Sequence, residues 1–367
     1  MCVRPVGPCR PKEGLRSWLK PSWRVPGVLA PLLLGLLLAP PEVFAKVRAD
    51  FYGVVSQGPL IDRDFDAMRR GNVGTLRFAV PWSQVEPAPG AYDWSQVDAV
   101  VAGASATGIE LLPVTYGTPR WLAPEDVTPP VETQRQRNAW AALHRELARR
   151  YGRGGTFWAG RPGYAPVTQW QPWNEPNLRY FWGSRPSARR YAQMLRLAAT
   201  AIRGEDPRAR IVMAGLAPGR GQLPWEFLRD LYRVPRIERH FDAVAFHPYA
   251  QAMADMTYLL DRMRLAIRAA GDPRARLEIT EVSWGSGGPR GYPLVTTPKG
   301  QARMLSKAFR LLRAGKRRWR IRQVDWFSWE DGAAADPACV WCEHAGLFTL
   351  DRRPKPAWRA FKRFTTR

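Results

Sequence analysis

The chain has few cysteines, and their positions limit its metal and redox chemistry. Two of the four, Cys2 and Cys9, fall in the N-terminal segment, and the other two stand in Cys339-Val-Trp-Cys342. No second cluster of Cys and His accompanies His344, so a four-ligand zinc site is not completed. No thioredoxin-like strand-to-helix pattern surrounds the motif. We therefore expect a local disulfide between Cys339 and Cys342, and no metal.

Lysine is also scarce, because 48 of the 56 basic residues are arginine, and the formal net charge is +24. The arginines are scattered, and no zinc-finger, RNA-recognition or helix-turn-helix signature accompanies them. A nucleic-acid partner is therefore not expected. Two explanations of the charge stay open. One is a coding bias that places arginine on solvated helix faces, and the other is affinity for an anionic partner such as an acidic glycan or a lipid surface.

A long membrane-spanning run is absent from the N-terminus. The apolar run Val28–Ala39 is shorter than the ~20 residues that a spanning helix needs, and it follows a basic lead. Val43-Phe44-Ala45 suits signal peptidase, with cleavage before Lys46. We expect residues 1–45 to be a signal peptide and residues 46–367 to form one extracytoplasmic or secreted domain. An uncleaved signal anchor, which would hold the protein at a membrane, is the alternative.

Aromatic residues are abundant, by contrast. The chain has 17 Trp and 11 Tyr, and its hydrophobic content of 45% is ample for a packed core. A core does not need so many indoles. Aromatic side chains with polar tips suit surfaces that stack on flat ligands such as sugar rings.

From about residue 47 the pattern alternates strand and helix without a linker, a repeat or a second domain. Eight such units are typical of a (β/α)8 TIM barrel, and the strands are apolar nearly throughout, as buried parallel strands are. The expected strands are Ala49–Ser56, Gly74–Val80, Ile109–Tyr116, Val167–Trp173, Arg210–Gly215, Phe241–His247, Arg276–Thr280 and Arg322–Trp329. The long loops after strands two, three, four, seven and eight are expected to form cleft walls.

Two glutamates stand at the ends of opposite strands. Glu175 follows strand four and Glu281 follows strand seven, so they face each other across the barrel mouth. Cleavage of a glycosidic bond needs such a pair, one acid to protonate the leaving oxygen and one carboxylate to attack or to activate water. Other side chains expected at the same level, as substrate-binding residues, are Arg77, Trp82, Tyr116, Asn174, His247, Tyr249 and Trp329.

Each of these residues has a structural alternative when it is taken alone. A glutamate at a strand exit is usually a solvated rim charge, Arg77 could serve a structural ion pair, His247 could be a core histidine, and Trp329 could be core packing. Their common level on the active face of a barrel favours the catalytic interpretation. Three nearby carboxylates are interpreted as non-catalytic: Glu278, which alternation points to the opposite face of strand seven, and Glu330 and Asp331 after strand eight.

The motifs resemble those of the clan A glycoside hydrolases, retaining (β/α)8 enzymes with catalytic glutamates after strands four and seven. The resemblance covers about residues 49 to 364 and is closest to family 39 and the family 5-like, cellulase-like proteins. The motifs that carry it are Leu-Arg-Phe at 76–78, Trp-Asn-Glu-Pro-Asn at 173–177, His-Pro-Tyr at 247–249, Ile-Thr-Glu at 279–281, Trp-Phe-Ser-Trp at 326–329 and Pro-Lys-Pro-Ala-Trp at 354–358. Tyr116-Gly117-Thr118-Pro119 stands where many family 5 members carry a histidine, which favours family 39.

The resemblance implies that Glu175 is the acid/base and Glu281 the nucleophile of an exported retaining glycosidase that needs no cofactor. Arg77 and Tyr249 are expected to keep Glu281 ionised, and the indoles of Trp170 and Trp173 to raise the pKa of Glu175. Asn174 is expected to contact a sugar 2-hydroxyl, and Trp329 to offer a platform to the ring. The alternatives are a catalytically idle barrel that binds a polysaccharide through its aromatic cleft, and a basic surface protein that binds anionic polymers.

Overall fold

A computed structural model describes residues 49–161, 163–333 and 339–366 of the chain. The expected signal segment, residues 1–45, lies outside these ranges. The described part contains eight strands, which are β1 (Tyr52–Ser56), β2 (Thr75–Pro81), β3 (Glu110–Tyr116), β4 (Gln169–Pro172), β5 (Arg210–Ile211), β6 (Ala243–Ala245), β7 (Arg276–Val282) and β8 (Ile321–Phe327).

The described helices follow the strands in the expected alternation, with two additional single-turn helices. They are α1 (Asp62–Arg70), α2 (Trp82–Val85), α3 (Ser95–Thr107), α4 (Gln134–Tyr151), α5 (Ala188–Glu205), α6 (Pro224–Tyr232), α7 (Met253–Ala269), α8 (Pro298–Ala314), α9 (Lys316–Trp319) and α10 (Pro356–Thr365).

The strands pair in parallel in the order β5-β4-β3-β2-β1-β8-β7-β6. Just beyond β5, the amide of Met213 donates to the carbonyl of Ala243 at 3.1 Å, and that of Leu216 to Ala245 at 3.2 Å. These bonds join the two ends of the sheet through β6 and close it into a barrel. The predicted (β/α)8 fold is confirmed, and the carboxyl ends of all strands meet at one mouth.

Local sequence signals explain where the long helices begin. Thr133 caps α4, since its hydroxyl accepts a hydrogen bond from the amide of Gln136 at 3.1 Å. The side chain of Gln136 accepts in return from the amide of Thr133 at 3.0 Å, which completes a capping box. Ser187 caps α5 in the same manner, by accepting from the amide of Arg190. These caps place the helices directly after the long loops that build the mouth.

Most strand boundaries differ from the expected ones by one to four residues, and the first and last strands are examples. β1 begins at Tyr52, after a 3₁₀ turn at Ala49–Phe51, and β8 ends at Phe327 rather than at Trp329. β8 stops there because the next amide, that of Ser328, donates to the carbonyl of Ala345 in the following loop and leaves the strand ladder. This early end changes the direction of the residues that follow, including Trp329.

Four fully buried tryptophans, one of them in α4, form a row of ring contacts beside the barrel. Trp82 packs on Trp140 with ring centroids 5.5 Å apart, Trp140 on Trp173 at 5.9 Å, and Trp173 on Trp182 at 6.4 Å. These contacts are edge-to-face or tilted. Such aromatic pairs stabilise a core by more than the burial of their apolar area alone. Much of the tryptophan surplus therefore serves packing, and the cluster anchors the end of β4 where the site begins.

Candidate active site

Glu281, at the end of β7, is held by two donors. The guanidinium of Arg77 in β2 lies 2.6 Å from its Oε1, and the hydroxyl of Tyr249 donates to its Oε2 at 2.5 Å. All three side chains are buried or half-buried, and Arg77 is only 2% exposed. Because both oxygens accept charge-assisted bonds, the ionised form of Glu281 is stabilised.

Glu175, beyond the end of β4, has a different neighbour. Its Oε1 lies 2.7 Å from Nδ1 of His247, and the other ring nitrogen of that histidine bonds to the hydroxyl of Thr280 at 2.9 Å. Both the histidine and the threonine are completely buried. The ring is therefore fixed from two sides, and one oxygen of Glu175 receives no protein hydrogen bond within the described part of the chain. That oxygen is free to meet a ligand.

The two carboxyl groups lie close together. Atoms of Glu175, His247 and Glu281 come within 4.8 Å of one another, so an oxygen of each glutamate is within that distance. Retaining glycosidases separate their carboxyl groups by about 5–5.5 Å, and inverting ones by about 6.5–9.5 Å. The short separation fits the retaining arrangement.

The same three residues have the donor types of a metal site. However, the Glu281 oxygens already accept from Arg77 and Tyr249, and the buried guanidinium places a positive charge where a cation would bind. The donor set therefore suits a pair of catalytic carboxyl groups better than a cation. The expectation that no metal or cofactor takes part stays a prediction.

The environment moves the pKa values of the two glutamates in opposite directions. Burial raises the pKa of Glu175, and the negative charge of Glu281 adds to the rise, while His247 opposes it. Burial also acts to raise the pKa of Glu281, but His247, Arg77 and the Tyr249 hydroxyl outweigh it, so that this pKa is lowered. Two acidic groups whose environments separate their pKa values are the mark of an acid and a nucleophile at one site.

The backbone around Glu175 is strained. Trp173 and Glu175 both have positive φ angles, +74° and +39°, in the left-handed region that residues with a side chain rarely adopt. Neighbouring elements hold them there, because the amide of Trp173 donates to Thr115 at 2.7 Å and that of Glu175 to Gly215 at 3.1 Å. Strain of this kind is concentrated at functional sites.

Gly215 leaves room for the histidine. A Cβ built on it would lie 2.0 Å from Nε2 of His247, so a side chain at this position would displace the ring. Asn177 ties the same region together, since its side-chain amide donates to Ala217 and to Gln222, both at 2.8 Å. These contacts fix the loop after β4 against the loop after β5.

Six of the predicted site residues come together in one network. They are Arg77, Asn174, Glu175, His247, Tyr249 and Glu281. Asn174 accepts from the guanidinium of Arg77 at 2.7 Å through its carbonyl oxygen, and its amide N–H groups make no hydrogen bond within the described residues. Tyr116 is half-buried beside this network, near enough for the charges of Arg77 and Glu281 to affect its hydroxyl.

Two predicted substrate-binding residues lie in the core instead. Trp82 is fully buried, and its indole N–H donates to Glu86 at 2.6 Å, one helical turn further along the chain. Trp329 is also fully buried, packs on Phe348 with centroids 4.5 Å apart, and donates its N–H to Asp64 at 3.1 Å. Neither indole has an exposed face, so neither can serve as the expected sugar contact or platform.

The carboxylates interpreted as non-catalytic have structural partners. Glu278 is fully buried and pairs with Arg210 at 2.8 Å. The alternation argument that separated it from Glu281 does not hold, because the register of β7 shifts between Leu277 and Glu278 and again between Ile279 and Val282. Beyond β8, Glu330 pairs with Arg352 at 3.4 Å and Asp331 with Lys355 at 2.7 Å.

Gln171 and Thr280 complete the site, and the motifs did not indicate either of them as a site residue. Gln171 in β4 accepts from Nε of Arg77 at 2.6 Å and donates to the carbonyl of Met213 at 3.0 Å, which orients the guanidinium. Gln171 and Thr280 are polar residues inside strands, and both side chains are buried. A buried polar residue in an otherwise apolar strand was the one available signal, since such a group must find a partner.

The comparisons with known proteins agree with the fold. Residues 55–150 match a glycoside hydrolase family 42 model described as beta-galactosidase. No curated protein matches the chain. Among solved structures, a family 39 glycoside hydrolase from Bacteroides cellulosilyticus WH2 has a TM-score of 0.60 at 19% identity, with 88% of this chain and 65% of that one covered.

Two further solved structures have a similar fold. A monomeric beta-xylosidase from Caulobacter crescentus CB15 gives a TM-score of 0.60 at 20% identity over 86% of this chain and 67% of that one. The exo-beta-1,4-mannosidase Op5Man5 from an Opitutaceae bacterium gives 0.63 at 16% identity over 88% and 61%. The chain thus spans about two thirds of the length of these proteins. The predicted resemblance to clan A glycoside hydrolases, with family 39 among the structural neighbours, is confirmed.

Proposed function

We propose that this protein is a retaining glycosidase that cleaves O-glycosidic bonds of a poly- or oligosaccharide. The observation that carries the proposal is the close pair of buried carboxyl groups with opposite pKa shifts, that of Glu175 raised and that of Glu281 lowered. A protonated acid and an ionised nucleophile within 4.8 Å are what the double-displacement reaction requires.

Glu175 and Glu281 each act in both steps of the reaction. In the first, Glu175 gives its proton to the leaving oxygen as the carboxylate of Glu281 attacks the anomeric carbon, and the bond from that carbon to the leaving oxygen breaks. In the second, Glu175 takes a proton from water, the water oxygen bonds to the anomeric carbon, and Glu281 leaves as a carboxylate. Arg77 and Tyr249 orient the nucleophile and stabilise the charge that returns to it.

Asn174 is placed to recognise the sugar. Its carbonyl oxygen is engaged by Arg77, which turns its amide N–H groups towards other partners. We assign them to a hydroxyl beside the anomeric carbon, because such a bond strengthens as the transition state forms.

The test is hydrolysis by the variants Glu281→Gln and Glu175→Gln across a panel of aryl glycosides and polysaccharides. Both should lose at least about 10³-fold in kcat, since each removes a group that takes part directly in bond making and breaking. The variant Glu175→Ala should regain turnover when azide is added, because azide attacks the glycosyl-enzyme without the help of a general base. Glu125→Gln, a change of an exposed loop glutamate, is the control. Wild-type turnover in either catalytic variant contradicts the assignment.

The panel also decides between hydrolysis and binding alone. A catalytically idle barrel would bind a glycan without cleaving any member of the panel. A basic surface protein would bind anionic polymers equally well after both glutamate substitutions, and its binding would fall steeply with salt.

An acidic glycan is the substrate class that we propose. The loops after β4 and β5, with the first turns of α5 and α6, line a cavity of about 570 Å³ that includes Arg179, Arg185 and Arg189 but neither Glu175 nor Glu281. All three are exposed. The adjacent Arg190 pairs with Glu132 at 2.9 Å, whereas these three form no ion pair within the described residues.

Two carboxylates, Glu226 and Asp230, share that cavity, and Asp230 already pairs with Arg233 at 2.9 Å. A net positive wall remains, which favours a uronate or another anionic group of the substrate. The double substitution Arg179→Ala and Arg185→Ala should raise KM for a uronate-containing glycan with little change for a neutral one. Equal effects on both glycans would refute the acidic class.

Export is a proposal as well. The basic N-terminal segment and its apolar run support it, and so does the disulfide between Cys339 and Cys342, since disulfides persist in oxidising compartments. No helix in the described residues has the length and apolar character to cross a bilayer. N-terminal sequencing of the protein from fractionated cells would show whether it is cleaved before Lys46 and released or retained at a membrane.

A further inference from the structure

The loop after β8 carries a tryptophan inside a short disulfide ring, and the proposed mechanism does not use it. Cys339 and Cys342 form a disulfide with their Cα atoms 5.4 Å apart, and Trp341 lies between them. The indole of Trp341 is only 7% exposed. A short ring of this kind closes no long loop, so it lowers the entropy of the unfolded chain less than a long-range disulfide does. Its role is better sought in what it holds.

Trp341 packs against the tyrosine that contacts the nucleophile. Its ring centroid lies 5.0 Å from that of Tyr249 in an edge-to-face arrangement, and 6.0 Å from that of Phe327 at the end of β8. The hydroxyl of Tyr249 reaches Oε2 of Glu281 at 2.5 Å. The indole is therefore one residue removed from the nucleophile, and it limits the positions that the phenol ring can adopt.

The backbone of Trp341 is fixed on both sides. Its carbonyl accepts from the amide of His344 at 3.1 Å, and a Cβ on Gly285 would lie 2.8 Å from the same carbonyl. On the other side, the amide of Cys342 donates to the carbonyl of Cys339 at 3.0 Å, and the disulfide joins the same two residues. The cross-link thus determines where the loop presents the indole.

We propose that Trp341 is a positioning residue, and that the Cys339–Cys342 disulfide holds it against Tyr249 so that the tyrosine hydroxyl stays on Glu281. The inference rests on the proposed glycosidase function. Loss of the indole or of the cross-link lets the phenol move, weakens the bond to Oε2, and leaves Glu281 a poorer nucleophile. Opening the cross-link takes two electrons and two protons, which an added phosphine reductant and water supply, and gives two thiols.

The test combines substitution with a double-mutant cycle. Trp341→Ala and the double variant Cys339→Ser, Cys342→Ser should each lower kcat about threefold to tenfold, as expected for loss of an edge-to-face aromatic pair. Both should move the acidic limb of the pH profile upwards. Trp341→Phe keeps a ring and should retain most of the activity. Val340→Ala, a change inside the same short ring that leaves the indole in place, is the control.

The cycle separates positioning from packing and from sugar contact. If Trp341 acts through the tyrosine, Trp341→Ala should change kcat by less than about twofold when Tyr249→Phe is already present. The phosphine should lower the activity of the wild type but not that of the double serine variant. The proposal is overturned if Trp341→Ala lowers kcat equally with and without Tyr249→Phe. It is also overturned if the wild type with its disulfide reduced keeps the acidic limb of the oxidised protein.

A failure of the proposed glycosidase function can be distinguished from a failure of the positioning role of Trp341. If the wild type hydrolyses no glycoside, the proposed function has failed, and the same variants are compared by calorimetric binding of a cationic piperidine iminosugar. We expect the cation of this ligand to pair with the ionised carboxylate of Glu281. Weaker binding by Trp341→Ala than by Val340→Ala, and loss of the difference in the Tyr249→Phe background, supports the positioning role, whereas equal binding refutes it.

Discussion

Removal of the hydroxyl of Tyr249 should shift the acidic limb of the pH profile of kcat/KM. This limb follows ionisation of the nucleophile in the free enzyme. Tyr249 donates to Glu281 at 2.5 Å, and the bond is one of the causes that lower the pKa of that glutamate. Burial and the nearby glutamates raise the pKa of Tyr249 well above its usual value, so the phenol remains a donor over the whole working range.

The size of the shift follows from the strength of the bond. A hydrogen bond to a charged group contributes about 1.5–3 kcal/mol, and one pKa unit corresponds to about 1.4 kcal/mol, so Tyr249→Phe should raise the limb by about one to two units. Because the side chain of Tyr249 is partly exposed, we expect about one unit. Arg77 still bonds to the other oxygen and keeps Glu281 ionised at neutral pH.

The assay is kcat/KM across the pH range for the wild type, Tyr249→Phe and Tyr116→Phe. Tyr116 is a half-buried tyrosine beside the same pair, but it makes no hydrogen bond to either glutamate within the described residues. Tyr116→Phe should therefore leave the acidic limb within about 0.3 units of the wild type, since it removes no hydrogen bond to the nucleophile. An unmoved limb in Tyr249→Phe, or equal shifts in both variants, would refute the assignment of Glu281 as the ionised nucleophile that Tyr249 stabilises.

Three further outcomes follow from the contacts of individual residues. Gly215→Ala should abolish most of kcat, because its Cβ would lie 2.0 Å from the ring of His247; circular dichroism will show whether the fold survives. Trp329→Ala should cost about 3–5 kcal/mol in chemical denaturation but little kcat per folded molecule, since the indole is a core group. The stability advantage of Glu175→Gln over the wild type should grow with rising pH. The folded wild type binds the Glu175 proton more tightly than the unfolded chain does, and that contribution to stability is lost as the pH rises through the raised pKa. The same difference in melting temperature between variant and wild type at every pH would contradict this.

The barrel and the pairing of the two glutamates could be predicted from the sequence, for a physical reason. Buried parallel strands are apolar on both faces and alternate with helices, so their number could be counted, and carboxyl ends of such strands share one mouth. That placed Glu175 and Glu281 together, and the structure brings them within 4.8 Å. Strand ends were less certain, because a single loop contact, the bond from Ser328 to Ala345, ends β8 two residues early.

Residue type alone could not show which aromatic side chains face the cleft. Trp82 and Trp329 satisfy their indole N–H groups on Glu86 and Asp64, acids that lie in other segments of the fold or one turn away. Such partners make burial favourable, and alternation along the strand carries no information about them. Trp341, inside a motif that indicated only a disulfide, packs against Tyr249.

Burial alone cannot explain why the pKa values of Glu175 and Glu281 move in opposite directions, since both side chains are 7% exposed. The difference lies in their partners: Glu281 accepts from a guanidinium and a phenol, whereas Glu175 meets a single histidine ring. Those partners are aimed in turn by Gln171, which holds Arg77, and by Thr280, which holds His247. The proposed roles of acid and nucleophile therefore depend on the buried polar side chains behind the two carboxylates. Substitution of Gln171 or Thr280 should change the pH profile without removing a contact to the sugar.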